Sequence, residues 1–203
     1  MLVASPSKYG KSTYVSKMIR RHEELFDKPA SQFYYFYNVW SSTFDDLRAS
    51  LENITFIKGL CDMAWLEQNV KVDSGVTIVV DDQAMNITKD VAEVFSVGSH
   101  QYGVNFILMA QNLFTKGTYF RDASLNCTYL LCGKKPRDQL SIRNLAHQMF
   151  PGRAQDLVEA YRRATLKPYS CLLIDCTQSI PESMRLRSNI LREDGPMVTY
   201  LRV

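Results

Sequence analysis

A stretch near the start of the chain, residues 4–13, limits the possible folds more than any other segment. The apolar run Met1-Leu2-Val3 leads into it and favours a short strand, and an apolar pattern with helical spacing begins at Lys11. A strand and a helix joined by a loop that contains Gly-Lys-Ser-Thr are typical of a phosphate-binding loop. The residues that we assign to this loop are Ser5, Pro6, Ser7, Lys8, Tyr9, Gly10, Lys11, Ser12 and Thr13.

The chemistry of a phosphate site gives a role to three of these residues. Gly10 permits close approach of the backbone to phosphate, Lys11 provides a positive charge, and Ser12 provides a hydroxyl for Mg²⁺. The helix that begins at Lys11 directs its positive end toward the same anion. A chance Gly-Lys-Ser-Thr sequence in a surface loop is the alternative interpretation, and the flanking strand and helix argue against it.

Ser5 occupies the position where the motif G-x-x-x-x-G-K-[ST] has its first glycine. Serine can make the same turn if its φ stays negative, or if its side chain hydrogen-bonds to the local backbone. We therefore expect a phosphate loop that tolerates this departure from the motif.

The composition is that of one globular domain. With 203 residues, 46% of them hydrophobic, the chain can bury one substantial core, so we expect a single domain over residues 1–203. No run approaches the ~18 apolar residues of a membrane span, and the N-terminus lacks the features of a signal peptide. The five cysteines are odd in number and lack metal-site spacing, which favours reduced thiols in an intracellular compartment. The net charge of +3 requires any contact with nucleic acid to be local.

A pair of carboxylates follows the most strand-like run in the chain. Residues 76–80 are β-branched and apolar on both faces, as in a central parallel strand, and Asp81 and Asp82 come directly after them. Open α/β sheets bind their ligands at this end of the strands. We therefore predict that Asp81 holds Mg²⁺ through water and that Asp82 orients or deprotonates an attacking water. Two solvated acids that cap the next helix are the alternative.

Further apolar runs predict a chain in which strands and helices alternate. Strands are predicted at 32–37, 54–57, 104–110, 127–132 and 170–175, with weaker candidates at 186–191 and 198–203. Helices are predicted after Lys11, from Ser42 as the cap through Leu51, around 91–98, and over 139–149 and 153–165. The aromatic run at 32–37 is interpreted as a core strand, with a base-stacking platform as the alternative. Gln111, at the end of one strand, either contacts a γ-phosphate or only forms a turn with Asn112.

Short motifs continue in order along the second half of the chain. After Asp81-Asp82 they are Gly98-Ser99-His100, Gln111-Asn112-Leu113-Phe114, Arg121 with Ser124-Leu125-Asn126, Pro136-Arg137-Asp138, Leu145-Ala146, Gln148-Met149, Pro151-Gly152, Tyr161, Ala164-Thr165, Pro168-Tyr169, Leu172-Leu173-Ile174-Asp175, Pro181-Glu182 and Arg185-Leu186-Arg187. This series resembles the FtsK–HerA-type genome-packaging ATPases of Polinton/Maverick elements, adintoviruses and related double-stranded DNA viruses, including poxvirus-type relatives. The resemblance covers nearly the whole chain.

The resemblance implies a RecA-like P-loop NTPase of the additional-strand class, an α/β fold with a mostly parallel central sheet flanked by helices. In that class a strand lies between the phosphate-loop strand and the acidic strand, and the runs at 32–37 and 54–57 are the candidates for that position. It also implies ATP-driven translocation of double-stranded DNA into a preformed viral capsid. The motor would be a homo-oligomeric ring, a hexamer or a pentamer, at the virus assembly site in the nucleus or cytoplasm of the host cell.

The resemblance also assigns roles to the matching positions. Lys11 and Ser12 take the phosphate and Mg²⁺ roles, Asp81 and Asp82 the metal and water roles, and Gln111 the sensor role. Arg121 and Arg137 are candidates for an arginine that reaches the γ-phosphate of a neighbouring subunit. We favour Arg121, because it lies in the connection that leaves the sensor strand. Arg137 stands at a predicted helix start, where it could instead bond Asp138 or a DNA phosphate.

The chain departs from the family pattern in three ways. Ser5 replaces glycine, Gln101 and Gly103 stand where His and Asn are expected, and the chain begins directly at the first strand, so a trimmed N-terminus is one interpretation. A HerA-like helicase or a conjugation-type DNA pump is the alternative within the same chemistry. A nucleotide-binding scaffold that does not hydrolyse ATP is the alternative from another class, and Ser5 makes it plausible.

Overall fold

The computed structural model describes residues 1–83, 86–115 and 117–201. The strands within these ranges are β1 (Leu2–Ala4), β2 (Gln32–Tyr37), β3 (Ile54–Lys58), β4 (Val76–Val80), β5 (Asn105–Ala110), β6 (Tyr129–Gly133), β7 (Cys171–Asp175), β8 (Leu186–Ser188) and β9 (Val198–Thr199). The α-helices are α1 (Lys11–Arg20), α2 (His22–Leu25), α3 (Ser42–Ser50), α4 (Met63–Asn69), α5 (Lys89–Glu93), α6 (Ser99–Tyr102), α7 (Thr118–Leu125), α8 (Gln139–Met149) and α9 (Ala154–Ala164). A π-helical turn, Val94–Gly98, joins α5 to α6.

These strands form one sheet in the order β3-β2-β4-β5-β1-β6-β7-β8-β9. The strands from β3 to β6 pair in parallel, and β7, β8 and β9 extend the sheet in antiparallel fashion beyond β6. β4 is buried along its whole length, which explains why its sequence is apolar on both faces. The predicted α/β architecture, a largely parallel sheet flanked by helices, is confirmed.

Helices cover both faces of the sheet, so the core has two layers. On one face, α1 and α3 pack through Val15, Met18, Ile19, Phe44 and Leu47. On the other face, α7, α8 and α9 pack through Phe120, Leu145, Leu157 and Tyr161. Alternate residues of the central strands supply the two layers, because successive side chains of a strand point to opposite faces.

The strand that lies between β1 and β4 is β5, and the two runs predicted for that position lie elsewhere. β2 pairs with the opposite side of β4, and β3 pairs with β2. Both runs therefore precede the acidic strand β4 along the chain, but in the sheet they lie on the side of β4 that faces away from β1. β5 pairs with both β1 and β4, so its carboxyl end lies between the phosphate loop and the two carboxylates.

The main predicted strands and the helices at 139–149 and 153–165 are confirmed to within two residues at each end. The sequence patterns did not indicate α4 or α7, which are seven and eight residues long. The cap of α3 is Ser41 and not Ser42, because the Ser41 hydroxyl accepts a hydrogen bond from the Thr43 N–H. The helix predicted around 91–98 continues through the π-helical turn to Tyr102. The weaker strand candidates at 186–191 and 198–203 are shorter in the structure, where they correspond to β8 and β9. Residues 202 and 203 lie outside the described residues.

All five cysteines are free thiols. Burial raises the pKa of Cys61 and of Cys171 to about 12, so both thiols stay protonated near neutral pH. Among the described helices, none is both long and apolar enough to cross a membrane.

Candidate functional site

Three adjacent strands end at the same edge of the sheet with the residues that the sequence singled out. Residues 5–10 follow β1, Asp81 and Asp82 follow β4, and Gln111 follows β5. Because these strands are parallel, their carboxyl ends bring the three groups together. Hydrogen bonds then join Ser12 to Asp81 and Gln111 to Asp82.

The loop turns through two residues in the left-handed region of backbone conformation. Lys8 has a φ of 64° and Gly10 a φ of 80°, and glycine adopts this conformation without a steric cost. The Tyr9 N–H donates to the Pro6 carbonyl at 3.3 Å, while the side chains of Ser7 and Thr13 are exposed. In the described part of the chain, no side chain caps the N-terminus of α1. The first N–H groups of a helix lack intrahelical acceptors, so this uncapped end favours an anion.

The Lys11 ammonium points into the loop. Its Nζ donates to the Ser5 carbonyl at 3.0 Å and lies 3.4 Å from the Pro6 carbonyl, and the residue is only 9% exposed. Burial lowers the pKa of Lys11, and the charges of Asp82 and Asp81 oppose that shift. A buried ammonium that donates its hydrogen bonds to backbone carbonyls is suited to bind an anion that enters the loop.

Ser12 and Asp81 connect the loop helix to the acidic strand. The Ser12 hydroxyl donates to Asp81 Oδ2 at 3.1 Å, and the Tyr35 hydroxyl donates to the same oxygen at 2.9 Å. Burial raises the pKa of the Asp81 carboxyl, and the hydrogen bonds from Tyr35 and Ser12 oppose that rise. A hydroxyl and a carboxylate oxygen are hard donors of the kind that Mg²⁺ takes in phosphate sites. The donor set therefore fits the predicted Mg²⁺ and phosphate.

Tyr35 is a site residue that the sequence did not reveal. It lies in β2 and is fully buried, as predicted for a core strand, but its hydroxyl orients the Asp81 carboxylate. Burial, and then the charge of Asp81, raise the pKa of Tyr35 well above its ordinary value, so the hydroxyl remains a donor. The available signal was chemical: a tyrosine in a buried strand needs a partner for its hydroxyl.

Asp82 and Gln111 form the second pair. The Gln111 Nε2 donates to Asp82 Oδ2 at 2.9 Å, and both side chains are exposed at the sheet edge. Asp82 has a φ of 51°, a left-handed conformation that is uncommon outside glycine and that recurs at functional sites. The structure thus brings these two residues together, and their roles remain predictions.

Ser5 does not need the freedom of the glycine it replaces, because its φ is not positive. The glycine that permits close packing against this loop is instead Gly133, at the end of β6. A Cβ atom placed on Gly133 would lie 2.6 Å from the Ser5 Cβ and 2.7 Å from a ring carbon of Tyr9. The glycine that makes room for the loop therefore lies more than one hundred residues away in sequence.

We expect Gly133→Ala to distort the phosphate loop and to weaken phosphate binding. The added methyl group meets both Ser5 and Tyr9, and overpacking of this kind costs about 1–3 kcal/mol. Calorimetry of inorganic triphosphate binding and a thermal unfolding curve measure the two effects. Ser5→Gly alone is expected to bind as the unchanged protein does, and combined with Gly133→Ala it should recover part of the loss. An alanine variant with undiminished binding and stability would contradict the close packing.

Neither candidate arginine forms a side-chain hydrogen bond or ion pair with the other predicted site residues that the structure describes. Arg121 lies in α7, within the predicted connection that leaves β5, and Arg137 precedes the cap of α8. Both are exposed, and neither forms an ion pair with any residue that the structure describes. The Asp138 carboxylate bonds Lys135 and Ser141 and not Arg137.

Lys135 is a further residue near the site that the sequence patterns did not identify. Its ammonium donates to the Asn112 side chain and pairs with Asp138 at 2.8 Å. It thus ties the end of β5 to the start of α8, next to Gln111.

A comparison of the chain with protein-family models finds no match, and a search of curated proteins finds no significant match. The function of the chain is therefore inferred from the geometry of its site and from its sequence motifs.

Proposed function

We propose that this protein is an ATPase that moves double-stranded DNA and packages a viral genome into a preformed capsid. The observation that carries the proposal is the hydrogen bond from Ser12 to Asp81, at the open end of a loop that holds Lys11. It unites the hydroxyl and carboxylate that a phosphate-bound Mg²⁺ requires. The capsid and the DNA come from the family resemblance of the sequence.

The geometry of the site supports a role for each residue. When bound, ATP with Mg²⁺ supplies the phosphoryl group that is transferred to water. Lys11 and the first N–H groups of α1 would hold the phosphate oxygens, and Ser12 and, through water, Asp81 would hold the metal. Asp82 orients the attacking water and accepts its proton, while the Gln111 amide keeps the Asp82 carboxylate in place.

The sheet topology supports a RecA-like assignment. One strand, β5, separates the strand of the phosphate loop from the acidic strand, which is the arrangement that the additional-strand class implies. It places the amide of Gln111 between the loop and the carboxylates. An amide there can respond to the loss of a γ-phosphate, which is the sensor role.

The charge distribution supports a polyanionic partner. Residues 134–167, which contain α8 and α9, hold eight lysines and arginines against three acids, a net charge of +5, whereas the remainder of the chain carries −2. Arg143, His147 and Arg162 line a groove formed by these two helices. Within the described residues Arg143 has no ion-pair partner, and Arg162 shares Glu159 with Arg163. A concentrated basic surface of this kind suits a DNA backbone.

We expect duplex DNA to raise the rate of ATP hydrolysis, because a translocating motor couples the two processes. Phosphate release is measured with and without duplex DNA at low ionic strength, with Asp82→Asn as the inactive control. That variant should still bind ATP with Mg²⁺, because Asp81 is retained. Hydrolysis that does not respond to DNA would contradict the translocase, and a protein that binds ATP without hydrolysing it would be the scaffold. DNA-stimulated hydrolysis with strand separation would favour the helicase.

Removal of the groove charges is expected to weaken DNA binding. Arg143→Gln combined with Arg162→Gln removes two positive charges, and the slope of log affinity against log salt should fall by about two. Fluorescence anisotropy of labelled duplex DNA over a salt series measures this slope. The matched control, Lys28→Gln with Arg48→Gln, removes the same charge from the loop before β2 and from α3, and should leave the slope nearly unchanged. Equal effects of the two pairs would contradict a local DNA surface.

A further inference from the structure

An exposed aromatic side chain lies directly against the phosphate loop. Tyr169 is in the connection between α9 and β7, and a Cβ atom placed on Gly10 would lie 3.3 Å from its Cδ1 atom. Its ring centroid is 5.9 Å from that of Tyr9, within the loop, at an angle of 54°. Even so, the residue is 64% exposed. Tyr169 therefore presents much of its aromatic surface to solvent at the phosphate site.

The backbone holds Tyr169 in this position against its own preference. Its φ is 63°, a left-handed conformation that bulky side chains rarely adopt. The Tyr9 hydroxyl donates to the Ser170 carbonyl at 2.8 Å, which ties the strained segment to the loop. Strained residues persist where the surrounding structure determines them, and they are concentrated at ligand sites.

We propose that Tyr169 is a stacking platform for the base of the nucleotide whose phosphates occupy the loop. An exposed aromatic ring stacks on a nucleobase and tolerates any base, because every base has a π-face. The ligand class is then nucleoside triphosphates, and inorganic triphosphate would occupy only the phosphate part of the site. The proposal rests on the proposed function, because it places the base next to the triphosphate site.

The same contact gives Gly10 a second role. A side chain at this position would meet the Tyr169 ring, so glycine allows the loop to turn and the ring to lie against it. Tyr119 provides a comparison, since it is 41% exposed but lies in α7 and makes no described contact with the loop.

A comparison of two ligands distinguishes the contribution of the base to binding from that of the phosphates. Binding of ATP and of inorganic triphosphate, each with Mg²⁺, is measured by calorimetry for the unchanged protein and for Tyr169→Ala, Tyr169→Leu, Tyr169→Phe and Tyr119→Ala. Stacking on one base corresponds to a loss of roughly 5- to 150-fold in affinity on truncation. We expect that loss for ATP in Tyr169→Ala and a smaller loss in Tyr169→Leu. Tyr169→Phe and Tyr119→Ala should bind ATP normally, and all variants should bind triphosphate equally.

The outcomes distinguish this proposal from the proposed function. If the unchanged protein binds neither ligand, the nucleotide site itself is wrong. If it binds both and Tyr169→Ala keeps its full ATP affinity, only the stacking role is overturned. An equal loss of both ligands in Tyr169→Ala and Tyr169→Leu would make Tyr169 a support for the loop and would also overturn stacking.

Discussion

Lys11→Ala is expected to abolish ATP turnover, with a fall in rate of at least about 100-fold. The Lys11 ammonium lies inside the phosphate loop, on the carbonyls of Ser5 and Pro6, where it can bind phosphate oxygens as their charge increases in the transition state. Lys135 cannot replace it, because its ammonium already bonds Asn112 and Asp138. Phosphate release under saturating ATP and Mg²⁺ measures the effect.

Lys17→Ala is the matched control for this variant. Lys17 lies in the same helix and is 44% exposed in its side chain, where it pairs with Glu193 at 3.5 Å. Its removal takes the same charge from α1 but not from the loop, and an exposed pair of this kind contributes little to stability. Undiminished hydrolysis in Lys11→Ala would refute the assignment of the site.

If one of the two candidate arginines acts across subunits, as the family resemblance implies, its change to alanine is expected to lower the hydrolysis rate about 10³- to 10⁵-fold while ATP still binds. Both Arg121 and Arg137 are exposed, and neither forms an ion pair among the described residues of its own chain. Mixing Arg121→Ala or Arg137→Ala subunits with Lys11→Ala subunits should restore part of the activity. Some interfaces of the mixed ring would then pair an intact Lys11 with an intact arginine.

The control for the mixing experiment is a mixture of Lys11→Ala subunits with Asp82→Asn subunits. Both residues belong to the site of one chain, where Asp82 is among the charges that act on Lys11, so this mixture should recover nothing. The ATPase rate is measured against the mixing ratio at concentrations where the ring is assembled. A rate that never exceeds the sum of the two variants alone would remove the role in trans. The arginine whose mixture recovers activity is the one that acts across subunits. If it is Arg121, the guanidinium would extend from helix α7 and not from a loop.

Several residues of the site could be named from sequence because their chemistry is local. The loop residues from Ser5 to Thr13 are contiguous, and a strand before and a helix after them can be recognised from apolar spacing. Asp81 and Asp82 follow a run that is apolar on both faces, which only a buried central strand requires. Their bonds to Ser12 and Gln111 confirm that the ends of these strands meet.

Other residues could not be found in this way because their importance comes from contacts over long sequence distances. Tyr35 has the same appearance as its aromatic neighbours in β2, and only the position of β4 beside it brings its hydroxyl to Asp81. Gly133 ends an ordinary strand, and only the pairing of β6 with β1 places it under Ser5 and Tyr9.

Consecutive residues were enough to predict the class of the sheet, the loop over residues 5–13 and the two carboxylates, because strand and helix spacing and burial on both faces leave a local pattern in the sequence. The identity of the strand that separates β1 from β4 could be learned only from the folded chain, since pairing partners are selected by packing across the whole sheet and not by proximity in the chain. The same holds for the contact of Tyr169 with Gly10, because the Tyr9 hydroxyl holds the connection before β7 against the loop.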